Sequence, residues 1–400
     1  MTKRLHVPAL DGLRVAMVFM VSWYHIWQQS WLGPQLSLGP IYLNFEPYVR
    51  TGYLLVDGMI LLSGFVLFLP YAQCMNNRQP LPEILPFYGR RLARVLPSYL
   101  FMLAVMLFGI AIPQHRYANA AAMWQDILSH LTFTFLFSPS TYLHTPLNMA
   151  AWTLCVEMQF YLIFPFLARA MVKRPALTLI AMIEAGFLYR LYCAQTFLSY
   201  DMLVNQLISF MDVFALGMLS AMLYVRFHRR LKGPGRALML LVAAFGLFMV
   251  SQIMYRQAGV VGFAQIQRWQ MIRRFPLALG IMLVALGVSL SFKWVQTLLG
   301  NRVIRFLAAV SMNYYLWHQV LSVQLKVWRV PPYEDPTPQM AGEMPWQIHY
   351  TWLCFALALL WAALITYGLE KPAARGLQKL FTPNARRNSH ERSPDGHPGP

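Results

Sequence analysis

The sequence predicts an all-α fold: a polytopic membrane helix bundle of about ten transmembrane helices, with both termini in the cytoplasm. Three observations carry this. Of 400 residues, 58% are hydrophobic and only 12% charged, about half the charge of a soluble chain. Apolar runs of roughly 20 residues, enough to cross a bilayer's hydrocarbon, recur from end to end. Lysine and arginine gather on alternate loops, the pattern of cytoplasmic loops.

The expected spans are 12–32, 52–72, 95–112, 149–168, 177–195, 203–224, 237–255, 273–292, 303–325 and 350–370. The basic start, MTKRLH, precedes an apolar run too long for a cleaved signal and without a small-residue cleavage site, so the first span reads as a retained anchor. Inner loops then carry Arg78, Arg90, Arg91 and Arg94, then Arg169, Lys173 and Arg174, then the cluster from Arg226 to Arg236. Outer loops hold the more scattered Arg50, Arg116, Arg256, Arg268, Lys326 and Arg329. This asymmetry accounts for the formal charge of +18. The expected partner is therefore the lipid bilayer, with no nucleic acid.

DILSHLTFTFLF, 126–137, is apolar but about half the length a bilayer needs, so it reads as an interfacial or re-entrant piece of the 113–148 outer loop. VPPYEDPTPQMAGEMPW, 330–346, reads as an external loop. Residues 1–380 form one membrane domain, and 381–400 a disordered basic cytoplasmic tail. The four cysteines lack metal or redox spacing and read as packing residues. No metal and no permanently bound cofactor is expected.

Burying an ionisable side chain in hydrocarbon is costly, so each instance is a functional candidate. Arg14 and His25 are eleven residues apart. That is three turns plus about 20°, which puts them on one helix face roughly 16 Å apart. His25, Glu157, Asp212 and His318 fall at a similar depth in four spans, with Asp57 nearer the outer surface in a fifth. The ordinary alternatives are a snorkelling arginine, a hydrogen-bonded core histidine, and interhelical structural pairs for Asp57, Asp212 and His318. Convergence of five groups favours a site, most strongly at His25. In FYGRRLARVLPSY, Arg91 and Arg94 share a helix face, with Arg90 beside them. They read either as flanking positive charge or as an anion clamp suited to phosphate.

Taken together, these motifs resemble the acyltransferase-3 family of integral membrane acyltransferases. LDGLRVAMVFMVSWYH is similar to its first-helix signature, an arginine or lysine, ten residues, then histidine; here Arg14 and His25. GYLLVDGMILLSGFVL resembles its second-helix pattern, with Met59 and Ile60 where aromatics are usual. RRLARVLPSY resembles its Arg-x-x-Arg motif, and AWTLCVEMQFYLIFPFL its Trp-Ser-Leu-x-x-Glu-x-x-Phe-Tyr motif through Trp152, Glu157, Phe160 and Tyr161, with Thr153 replacing the serine. SMNYYLWHQ and YGLEKP are similar to its C-terminal patterns. The likeness covers about 8–372 in order.

The resemblance implies transfer of an acyl group, often acetyl, from cytoplasmic acyl-coenzyme A to a carbohydrate or lipid-linked glycan. It implies a stand-alone enzyme without a fused extracytoplasmic domain, in a bacterial inner membrane. On this reading Arg91 and Arg94, with Arg90 and Arg14, hold the coenzyme phosphates. His25 acts as general base or carries the acyl group, and Glu157 orients the imidazole or the acceptor. Trp152, Asp57, Asp212, Tyr161 and His318 line or support the site. A transporter or flippase, or an exporter of acyl groups for a separate transferase, also places charge at mid-membrane depth. Acceptor, chain length and oligomeric state stay open.

Overall fold

A computed structural model describes residues 5–381, and the expected tail beyond Phe381 lies outside them. The long helices are α1 (Pro8–Ser30), α2 (Val56–Asn77), α3 (Ile84–Met106), α4 (Ala120–Leu131), α5 (Trp152–Lys173), α6 (Pro175–Thr196), α7 (Met211–Phe227), α8 (Gly233–Ala258), α9 (Phe263–Leu290), α10 (Arg302–Val327) and α11 (Met344–Ile365). A π-turn, Thr366–Glu370, leads from α11 into α12 (Lys371–Phe381). Among the described residues, eight helices are long and apolar enough to cross a membrane. The chain is an all-α, integral multi-pass membrane protein. Helices α1 and α10, with 23 and 26 residues, are also long enough to span, yet they are outside those eight. They are the two that carry Arg14, His25 and His318.

Local chemistry sets the ends. Pro8 opens α1, where its missing N–H costs nothing. Trp31, at φ 53°, closes α1 by donating its N–H to the Trp27 carbonyl. The Asn301 side chain accepts from Ile304 N at 3.0 Å and starts α10. The 120–131 segment is a helix of 12 residues capped by Asn119, about 18 Å long and too short to span.

Three elements differ from expectation. Helix α9 begins at Phe263, not 273, so Arg268 lies within it and not in a loop. Helix α3 begins at Ile84, not 95, so Arg90, Arg91 and Arg94 lie within it. Arginine is a good helix former, and Pro86 sits in the tolerant first turn. The shared helix face expected of Arg91 and Arg94 is present; what differs is the start of the span. The loop after α1 folds into an antiparallel ribbon, β1 (Gln35–Leu38) with β2 (Ile41–Asn44), pairing Gln35 with Asn44. The turn is supplied by Gly39 at φ +59°.

The core lies where α2, α5 and α7 meet. Phe160 and Phe214 stack at 3.4 Å between centroids. Helices α2 and α7 touch backbone to backbone through two glycines. A Cβ on Gly217 would stand 2.2 Å from the Leu61 carbonyl oxygen, and one on Gly64 would stand 2.7 Å from that of Phe214. Such small-residue contacts let membrane helices approach without a hydrophobic driving force. Helix α10 packs between α1 and α11, and this arrangement sets the site.

Candidate active site

Two cavities lie on either side of a narrow divide. The first, about 850 Å³, is lined by Arg14 of α1, Ser63 of α2, Arg91 and Arg94 of α3, and Glu157 and Tyr161 of α5. Three guanidiniums and one carboxylate leave it net positive. The second, about 1460 Å³, is lined by His25, by the aromatic rings of Tyr24, Trp27, Tyr53 and Trp152, and by the side-chain amides of Gln28, Asn205 and Gln257. Val56 and Tyr315 line both, so the cavities meet at these two side chains.

In the arginine cavity, Ser63 and Tyr161 hydroxyls both donate to the Glu157 carboxylate, the latter at 3.3 Å. The Arg91 guanidinium lies 5.7 and 5.8 Å from the ring centres of Phe87 and Tyr161. Its Nε is buried without a hydrogen-bond partner among the described residues. A buried donor of this kind is what an incoming anion satisfies. Arg90 does not line this cavity. One position along a helix is a turn of about 100°, which points Arg90 to the side of α3 near Tyr71.

In the other cavity His25 has a histidine behind it. His318 Nε2 lies 2.9 Å from His25 Nδ1, and His318 Nδ1 lies 2.6 Å from the Tyr315 carbonyl oxygen. A carbonyl only accepts, so His318 Nδ1 carries the proton, and the neutral ring offers its Nε2 lone pair. His25 Nδ1 must then donate, which leaves the His25 Nε2 lone pair free. His318 is buried (1% exposed) and fixes that tautomer from the protein side. One turn below, Ser22 Oγ and Tyr314 OH lie 2.9 Å apart and tie the same two helices.

The five ionisable groups expected at one level therefore separate. His25 and His318 meet. Glu157 lies among the arginines and shares no hydrogen bond with His25; the ring partner of His25 is His318. Asp57 pairs with Arg274 at 3.1 Å, and Asp212 takes a two-pronged bond from Arg190 at 2.8 and 2.5 Å. Neither aspartate lines either of these two cavities. Depth along a span is readable from sequence, but the azimuth that decides which helices face each other is not.

Sequence reasoning passed over four contributors. Asn148 caps the turn before α5 by accepting from Ala150 N at 3.0 Å, and it donates to the Leu316 carbonyl at 2.6 Å. That contact sets Trp152 and Glu157 against the helix that bears His318. The cue was an asparagine just ahead of an apolar run. Tyr315 divides the cavities, and nothing in its sequence setting distinguishes it from Tyr314. Arg190 and Arg274 lay inside expected spans, where their charge alone was the signal.

The acyltransferase domain family model matches residues 7–368. Among curated proteins the chain is 29% identical over 174 residues to an acyltransferase, MdmB, of Streptomyces mycarofaciens, covering 43% of this chain and 41% of that one. It is 27% identical over 180 residues to an O-acetyltransferase, OatA, of Staphylococcus aureus, covering 42% and 26%. It is 28% identical over 198 residues to a peptidoglycan O-acetyltransferase, OatA, of Listeria monocytogenes, covering 46% and 28%. The aligned part thus spans less than half the length of these relatives. No solved structure matches significantly. With nearly the whole described bundle, from α1 into the turn after α11, inside the family match, the chain belongs to the acyltransferase domain family.

Proposed function

We propose that this protein is a membrane-bound O-acyltransferase. It moves an acyl group, acetyl in the simplest case, from cytoplasmic acyl-coenzyme A to a hydroxyl of a carbohydrate or glycolipid acceptor. The observation that carries the reading is the pair of cavities meeting at Val56 and Tyr315, one cationic and one with His25 on its wall.

Arg14, Arg91 and Arg94 suit the phosphates of the donor, since guanidinium matches phosphate in charge and fork geometry. The pantetheine arm of the donor then runs towards the divide and presents the thioester at His25. The His25 Nε2 lone pair takes the proton of the acceptor hydroxyl as its oxygen bonds to the acyl carbon. The carbon–sulfur bond breaks, and the leaving thiolate recovers that proton from the imidazolium. The products are the acyl ester and free coenzyme A. Glu157, bonded to Ser63 and Tyr161, orders the arginine cavity in this scheme. The aromatic planes and neutral amides of the His25 cavity suit a sugar, whose CH faces stack and whose hydroxyls pair with amides.

The same reading takes α1 and α10 as two further spans, giving ten, with both termini on the arginine side and that side cytoplasmic. On this reading the membrane is a bacterial inner (plasma) membrane, by the family resemblance alone.

The test supplies acetyl-coenzyme A labelled in the acetyl group to the arginine side of membrane vesicles, with a crude envelope extract as acceptor. Coenzyme A release and label transfer by wild type, both lost in His25→Ala, is the expected result. Label that crosses unchanged, or transfer that survives His25→Ala, overturns it.

A further inference from the structure

We infer that Arg274, which lies outside both cavities, is a positioning residue that holds one wall of the His25 cavity. The functional meaning of that wall, as the acceptor's side, rests on the reading above; the positioning does not.

Arg274 is fully buried in α9, with 0% exposure. Its Nε donates to Asp57 Oδ2 at 3.1 Å, and its Nη1 donates to the Val204 carbonyl at 2.8 Å and to Ser209 Oγ. The guanidinium carbon, Cζ, lies 3.9 Å from the ring centre of Phe210. Phe210 in turn stacks on Trp152, with centroids 5.9 Å apart and planes at 26°. Trp152, Val204 and Asn205 all line the His25 cavity. One side chain thus fixes three wall positions: two through the backbone of Val204, one through a stacked ring.

The wall needs such a support. Residues between α6 and Leu207 form turns with no regular helix. Non-helical backbone beside a membrane cavity survives only where its carbonyls find donors. Arg190 supports the turn that follows, donating to the Ser209 carbonyl at 2.6 Å while gripping Asp212. Asp57 aims Arg274 by accepting from its Nε. The donor set is specific to guanidinium: lysine supplies the charge, but no planar face for Phe210 and no fork to reach Asp57 and Val204 together.

The experiment uses the full-length protein in nanodiscs, with the native cysteines replaced and spin labels on Gln28→Cys and Asn205→Cys, across the His25 cavity. A second pair, Ser63→Cys and Met312→Cys, spans the arginine cavity. Pulsed EPR is expected to give a broadened or shifted 28–205 distance in Arg274→Gln and an intermediate one in Arg274→Lys, with the 63–312 distance unchanged. The double variant Arg274→Met with Asp57→Leu, which leaves no buried charge unpaired, is expected to fold and still show the broadened 28–205 distance. An unchanged 28–205 distance in these variants overturns the inference. Equal broadening of both pairs also overturns it, because Arg274 then supports the whole bundle and not this wall. Failure of the functional reading appears separately, as a wild type without acetyl transfer.

Discussion

His318 Nε2 lies 2.9 Å from His25 Nδ1, joining α1 to α10 across 293 positions of sequence. A buried ring bonded on one side to a carbonyl and on the other to a second ring determines which nitrogen of that second, half-buried ring keeps a free lone pair. His318→Ala is therefore expected to lower kcat by roughly 10- to 100-fold, the effect that loss of an orienting partner has on metal-ligating histidines. Donor affinity should be unchanged. His25→Ala should cost about 10²- to 10⁴-fold, the usual contribution of a general base. Steady-state coenzyme A release, with acetyl-coenzyme A binding measured in parallel, checks both.

Arg91→Ala and Arg94→Ala should each weaken acyl-coenzyme A binding by about 10- to 100-fold, as loss of a charge-assisted hydrogen bond of about 1.5–3 kcal/mol requires. Arg90→Ala should cost far less, because that residue does not line the cavity. Titration of acetyl-coenzyme A against the purified variants compares them directly. An Arg90→Ala loss equal to that of Arg91→Ala would contradict the assignment of faces on α3.

Asp212→Asn leaves Arg190 buried (3% exposed) without its charge partner, which should cost about 3–5 kcal/mol of stability. Arg190→Met combined with Asp212→Leu should recover most of it, since no orphan charge remains. Thermal unfolding of both variants in one detergent measures the difference.

Gly217→Ala should destabilise by about 1–3 kcal/mol, the typical cost of an added methyl group in a packed core. The new Cβ would meet the backbone carbonyl of Leu61, which has no free rotamer through which to yield. Gly342→Ala provides a spacing contrast, since nothing lies within 4 Å there, although its φ of +70° adds backbone strain of its own. Denaturation midpoints of the two variants separate crowding from strain.

Asn148→Ala should cost about 1 kcal/mol for the lost cap. The free Leu316 carbonyl should also loosen Trp152 relative to His318. Activity is expected to fall more than stability. A melting temperature that falls while turnover is unchanged would make Asn148 a cap and nothing more.

The sequence by itself determined what depends on neighbours along the chain. Runs of apolar residues made helices of membrane length, Pro8 and Asn301 marked where two of them begin, and the Arg14–His25 spacing placed both on one face. It also carried the motifs of the family. Even here the boundary misled: Arg91 and Arg94 share a helix face as their spacing says, but the helix starts at Ile84 and not at 95, because flanking charge hides where a membrane helix begins. Tertiary structure alone decided the pairings. Asp57 and His318 stand at neighbouring depths in expected spans, yet Asp57 meets Arg274, 217 positions away, while His318 meets His25. Helix period and depth give the face and the level of a side chain, but the partner depends on the rotation and order of the packed helices. Those are set by the sum of many close contacts, such as Gly64 and Gly217 against backbone, and no single stretch of sequence contains them.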